Sequence, residues 1–266
     1  MDEKGIFMNQ FGIQIFSVRD HFTDEVGVRS AFSALAEMGY SYVHTAGTYD
    51  FIAPEKFKEY ACEAGLSFCG THYDFGRIQS DVDGTVRYHE TLGTRNIGVG
   101  GMPMQMRGSV EGTEEFIKEF NRLACEYGKR GYKLTYHNHA FEFRKTPDGK
   151  TFFDRLIEEL DPENTSFVFD TYWAQYAGID VRMMIERLKG RIDILHLKDM
   201  AVSCEDSKPM ITEIGSGNIN FKDIIPTAER CGVKYFVTED DRCVKDRSLE
   251  CAKISADYIK ANLLNK

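Results

Sequence analysis

Four side chains able to bind a metal stand at or just beyond the ends of successive apolar runs. Glu142 follows YKLTYH (132–137), Asp170 closes SFVFD (166–170), His196 sits in IDILHL (192–197) and Glu239 closes KYFVTE (234–239). Three carboxylates and one imidazole suit one hard or borderline divalent ion, Mn, Mg, Co or Zn. An ion with open positions can take two neighbouring sugar oxygens and stabilise the charge left when a carbon-bound proton departs. Any one of these carboxylates alone is as readily a helix cap or a solvated charge. Their recurrence at matching positions carries the reading.

Other polar residues share those positions. Gln14 lies in FGIQIF (11–16), His72 closes LSFCGTH (66–72), and His139 belongs to the HNH that ends the fifth run. Trp173, the only tryptophan, follows Asp170 by three and offers a stacking face for a sugar ring. Lys198 offers a cation to a hydroxyl or phosphate, or an ion pair to Asp199 or Asp241. All five are candidates for substrate binding.

The elements that must position these residues follow from hydropathy. With YVHTA (42–46) and NIGVG (96–100), eight short apolar runs are present, several of them nearly continuous, as strands buried on both faces are. Between them lie amphipathic stretches. In residues 27–39, Val28, Phe32, Leu35 and Met38 recur at helical spacing, as do Phe116, Phe120, Leu123 and Tyr127 in residues 113–131. Further helices are expected near 54–64, 80–92, 151–160, 180–188, 222–230 and 247–263. Eight strand–helix alternations over 266 residues, with no linker, predict one α/β domain over 1–266, a single (β/α)8 TIM barrel. An open doubly wound sheet would want a glycine fingerprint after the first strand, where the chain reads SVRDHF.

Charge and composition narrow the partners. The net charge of −9 provides no basic face for phosphates, so neither nucleic acid nor an anionic membrane is expected as a partner. No apolar run approaches a membrane span. The opening MDEKGIFMNQ lacks the layout of a signal peptide, and the seven cysteines form no C-x-x-C pair, so a reducing, cytoplasmic setting with free thiols is expected. A homo-oligomer is compatible with the sequence.

The motifs YHNHAFEF (136–143), FVFDTYWAQYAG (167–178), ILHLKDM (194–200), EIGSGNINF (213–221) and VTEDDRC (237–243) resemble the sugar phosphate isomerase/epimerase group of xylose isomerase-like barrels. The resemblance runs from residue 12 to 260. It implies Glu142, Asp170, His196 and Glu239 as metal ligands, with Glu142 and Glu239 also exchanging the proton from opposite faces of a small-molecule carbohydrate. It further implies that the 213–221 loop covers the site, bringing Glu213 to a sugar hydroxyl. Gly215 and Gly217 in that loop permit tight turns, a phosphate-binding arrangement is one use of them, and Asn220 is placed to cap a helix. The chain departs from ketose 3-epimerases at Trp173, where they carry histidine, and at Lys198-Asp199, where they carry arginine. The activity implied is a metal-dependent sugar isomerase or epimerase working through an enediolate. A lyase or dehydratase eliminating next to a carbonyl, on a 3-keto-glycoside or an inosose, is the alternative. Endonuclease IV shares this barrel, but its basic DNA face is absent from this composition.

Overall fold

The computed structural model describes residues 8–242 and 246–264. Ten strands are present among them: β1 (Gly12–Gln14), β2 (Tyr42–Ala46), β3 (Ser67–Tyr73), β4 (Asn96–Val99), β5 (Lys133–His137), β6 (Thr165–Asp170), β7 (Ile192–Leu197), β8 (Asp199–Val202), β9 (Pro209–Thr212) and β10 (Tyr235–Thr238). Eight close into a parallel barrel in the order β1-β10-β7-β6-β5-β4-β3-β2, so the predicted single (β/α)8 barrel is the fold. β8 and β9 form a separate antiparallel hairpin, where the sequence reading had only a loop.

The barrel strands match the apolar runs to within one residue at each end, except the first, which stops two residues early. Gln14 ends β1 because its side-chain oxygen accepts the Phe16 amide at 3.3 Å, and the chain turns at once into the 3-10 segment Ile15–His21. The helix expected over 80–92 is two, Phe75–Ser80 and Val82–Leu92. Asp81 joins them and caps the second through the Gly84 amide. Most other helix starts follow the same chemistry: Asp24, Asp74, Ser109, Thr151, Asp170 and Asp180 each accept an amide of the first turn. Asn220 holds the cap position of Phe221–Arg230 but makes no side-chain cap bond, contrary to expectation.

Alternation along each strand divides the side chains between barrel and helices. On β5 the Tyr136 ring faces outward, 5.5 Å from Phe116 and 6.2 Å from Phe120 of the helix Val110–Gly128. These rings are fully buried, each contributing about 1.5–3 kcal/mol by leaving water. His137, the next residue, therefore faces the barrel interior.

Cys62, Cys69, Cys125, Cys204 and Cys231 are free thiols, and Cys243 lies outside the described residues. Among the described residues no helix is long and apolar enough to cross a membrane.

Candidate metal centre at the barrel mouth

Parallel register sets side chains of neighbouring strands at one level. Gln14 pairs with His44, and Asp170 with His196. His137, Asp170, His196 and Glu239 are thereby gathered so that one donor atom from each lies within 4.8 Å of the others, all four residues being buried. His137 Nε2 is 3.3 Å from Asp170 Oδ2, and His196 Nδ1 is 3.9 Å from that oxygen and 2.9 Å from Glu239 Oε2.

Glu142, expected as the strand-five ligand, does not join them. It lies beyond β5 in the 3-10 turn Phe141–Phe143, and its carboxylate folds back to accept the Tyr136 hydroxyl at 2.7 Å and the His139 amide at 2.9 Å. Burial raises its pKa, partly opposed by the Tyr136 hydrogen bond. His137, the inward-facing last residue of β5, stands in the group instead.

Asp170 is oriented by its second oxygen. Oδ1 accepts the Trp173 amide at 2.9 Å and caps the helix Thr171–Tyr176, which leaves Oδ2 for the donor group. The spacing in Asp-Thr-Tyr-Trp is that of a cap and the third residue of its helix. Asn138 Oδ1 accepts the Asp170 amide at 2.9 Å, and Thr171 Oγ1 accepts the Lys198 amide at 3.1 Å, tying β6 to the end of β7.

Lys198 is fully buried and its Nζ stands 2.9 Å from Glu239 Oε2, 3.3 Å from Asp170 Oδ2 and 2.9 Å from Asp241 Oδ2. Burial works against the ammonium, but these three carboxylates hold its pKa above the ordinary value. In return, and against their own burial, Lys198 holds the Asp170 carboxyl low with help from His137, and the Glu239 carboxyl well below the usual range with help from His196. Asp241 goes the other way, pushed to about 6 by burial and the Glu239 charge.

A wider set of imidazoles surrounds the group. The His72 ring lies 4.6 Å from His44 and 4.8 Å from His137, and His139 lies 4.8 Å from His137 and 5.5 Å from Trp173. Burial, reinforced by His137, lowers the His139 pKa to about 3, so it is neutral. His72 Nε2, His139 Nδ1 and Trp173 Nε1 are buried without a protein hydrogen-bond partner. The Glu213 carboxylate accepts Thr212 Oγ1 at 2.9 Å and groups with Asp240 and Cys251.

The loop containing Gly215 and Gly217 is closed on Asp199. Asp199 Oδ1 accepts the amides of Met200 (2.8 Å) and Ile219 (3.1 Å), and Oδ2 those of Gly215 (2.9 Å) and Gly217 (3.0 Å). A Cβ at Gly217 would strike this carboxylate, and one at Gly215, where φ is +89°, would strike the Tyr258 ring.

Two imidazole nitrogens and two carboxylate oxygens make a donor set that fits one divalent ion of borderline character. His196 Nε2 lies 2.9 Å from His44 Nδ1, which also faces the Gln14 amide nitrogen at 3.1 Å. His44, missed from the sequence, was visible only as the strand-two counterpart of Gln14. His137 was visible as the last residue of its strand.

Residues 32–255 match the xylose isomerase-like TIM barrel family, and the chain belongs to it. It is 27% identical over 202 residues to the inosose dehydratase of Geobacillus kaustophilus, a match covering 68% of this chain and 63% of that protein. The chain thus spans somewhat less than two thirds of that relative's length. The inosose dehydratase of Mesomycoplasma hyopneumoniae strain J is 24% identical over 222 residues, 74% of this chain and 68% of that protein. A sugar phosphate isomerase/epimerase from Parabacteroides distasonis superposes with a TM-score of 0.79 at 23% identity, over 97% of this chain and 100% of that one, a likeness of fold.

Proposed function

We propose that the protein is a metal-dependent enzyme that removes a proton beside the ketone of a small cyclic polyol or sugar and expels water from the neighbouring carbon. The observation that carries this reading is the gathering of His137, Asp170, His196 and Glu239 around one point, with the Lys198 ammonium at its edge and Glu142 turned away. An ion held by those four residues, of Mn, Co, Zn or Mg, would supply positive charge to the ketone oxygen as the proton leaves. Glu239 is the residue placed to take that proton. Lys198, held as a cation, donates a hydrogen bond to the departing hydroxyl. Balance is simple: one C–H and one C–OH are replaced by a C=C bond and a water molecule.

The unpartnered Nε1–H of Trp173 and nitrogens of His72 and His139 suit a substrate rich in hydroxyls, which would satisfy groups that are costly to leave bare. The relatives named inosose dehydratase support a keto-inositol as the first substrate to try. Isomerisation or epimerisation shares the proton-removal step, then returns the proton to another carbon or face. That route wants a second base, and the Glu142 carboxylate is committed to Tyr136 and His139.

The test is incubation of the Mn- or Co-loaded protein with an inosose, free keto-sugars and 3-keto-glucosides, followed by mass spectrometry and NMR in D2O. Dehydration predicts a product lighter by one water. A product of unchanged mass carrying deuterium establishes the isomerase or epimerase instead. No turnover of any ketone, with the metal bound, overturns the enolisation reading.

A further inference from the structure

The chain that follows β10 is pinned residue by residue. The Glu239 amide donates to the Leu197 carbonyl at 3.0 Å, the Asp240 amide to Ser17 Oγ at 2.9 Å and the Arg242 amide to Asp240 Oδ1 at 2.9 Å. Between the last two, the Asp241 carbonyl accepts Arg19 Nη2 at 3.2 Å. Arg19 is itself held by the Phe16 carbonyl at 2.8 Å and lies over the Phe16 ring. The Asp241 side chain is held from its far end as well. Its Oδ2 accepts Lys198 Nζ at 2.9 Å, and the same ammonium reaches Glu239 Oε2 at 2.9 Å. Asp241 and Glu239 thus stand on either side of one cation.

This arrangement leaves one atom over. Asp241 Oδ1 is shielded from solvent and has no hydrogen-bond partner among the described residues. Turning the carboxyl about its axis only exchanges the two oxygens, so one is always left, and a shielded oxygen of this kind is costly to leave bare. Lys198 Nζ also lies 5.5 Å from the Trp173 ring, whose Nε1 is likewise buried and unpartnered. A bare oxygen and a bare N–H therefore belong to the two residues that flank Lys198 on its mouth side. A hydroxyl suits Oδ1 whether the carboxyl is ionised or protonated, because it donates and accepts alike.

We propose that Asp241 is a specificity-determining residue, whose Oδ1 takes a hydroxyl that the substrate keeps, on the carbon next to the one that loses water. The inference rests on the proposed function in taking Lys198 as the partner of the departing hydroxyl, with Asp241 one hydrogen bond beyond it. The substrate class narrows to cyclic ketones that carry a retained hydroxyl beside the leaving one. A site built around a polar group rejects an analogue that leaves the group bare far more strongly than an apolar pocket rejects a missing methylene.

The test compares ligands as well as activities. The full-length, Mg-loaded protein is mixed rapidly with an inosose and with its monodeoxy analogues, each lacking one hydroxyl. The fluorescence of Trp173, the only tryptophan, gives Kd before turnover, and product mass gives turnover afterwards. In the wild type, the analogue lacking the hydroxyl next to the leaving one should bind roughly 10–100-fold more weakly than the parent, the worth of a hydrogen bond to a charged group. In Asp241→Ala that penalty should vanish, while the penalties for the other missing hydroxyls persist. Asp241→Asn keeps the shape and turns an amide to the hydroxyl, so the penalty should shrink without vanishing. A merely structural role would weaken every ligand by one factor. That result, an undiminished penalty in Asp241→Ala, or no penalty in the wild type overturns the proposal and leaves Oδ1 with an ordered water only. Binding with the expected penalties but no loss of water refutes the proposed reaction and not the role of Asp241. If no inosose binds, the role of Asp241 falls, while the proposed function is still judged on the keto-sugars.

Discussion

The Lys198 ammonium lies 2.9 Å from the Glu239 carboxylate, inside the same donor group that a divalent cation would use. It supplies charge that keeps Asp170, Glu239 and Asp241 together in a buried place. The lysine therefore does compensating work that a bound divalent ion would share.

Removing the lysine should expose that division. Lys198→Met leaves buried carboxylates without their ammonium, and breaking a buried pair from one side costs about 3–5 kcal/mol. Metal-free Lys198→Met should melt well below the wild type in calorimetry. Excess Mn²⁺ should restore more stability to the variant than it adds to the wild type, because binding to the folded state stabilises by mass action. An equal metal-free melting temperature would show that the lysine does not hold the carboxylates together.

His137 and Glu142 should separate cleanly in metal content. His137→Ala removes a donor and should lower Mn²⁺ or Zn²⁺ affinity by at least about tenfold, as even supporting partners of ligands do. Glu142→Gln should retain one equivalent of metal. Its cost should appear as stability, about 1–3 kcal/mol, because an amide NH2 would face one of the two donors that the carboxylate now accepts. Metal analysis after gel filtration, with urea denaturation alongside, reads both. Full metal in His137→Ala and none in Glu142→Gln would restore the glutamate as ligand.

A third test concerns pH. His89 is buried with Nε2 at 2.7 Å from Thr71 Oγ1 and Nδ1 at 2.7 Å from the Thr85 carbonyl, and burial lowers its pKa from 6.5 to about 4. A group whose folded pKa is depressed adds stability above its unfolded pKa and loses it as pH falls toward the folded value. Between pH 6.5 and about 4 the wild type should therefore lose stability faster than His89→Gln, by up to about 1.4 kcal/mol per pH unit. Urea midpoints for the two proteins at several pH values give the difference; parallel curves would refute it.

The barrel was legible because parallel strands buried on both faces read as apolar runs, and Asp170, His196 and Glu239 were legible as candidates because they stand at or next to the ends of three of them. The candidate group includes His137 rather than the expected Glu142 for a definable reason. Tyr136 and His137 alternate in and out, which parity shows, whereas Glu142 lies past the strand in a turn whose direction no periodicity sets. Lys198 was left between a substrate contact and a pair with Asp199 or Asp241. The structure gives the pair to Asp241 and commits Asp199 to loop amides. The hairpin Asp199–Thr212 escaped notice because its strands are only four residues each and partly polar.

That commitment of Asp199 bears on what can dock there. Four amides converging on one point make an anion receptor, and here the receptor carries its own tethered anion. A phosphate ester reaching the loop would compete with a carboxylate that is covalently local and already desolvated, and on winning would leave that carboxylate stranded. The four amides of this stretch of chain thus already hold an anion of their own, supplied by the neighbouring residue of the strand.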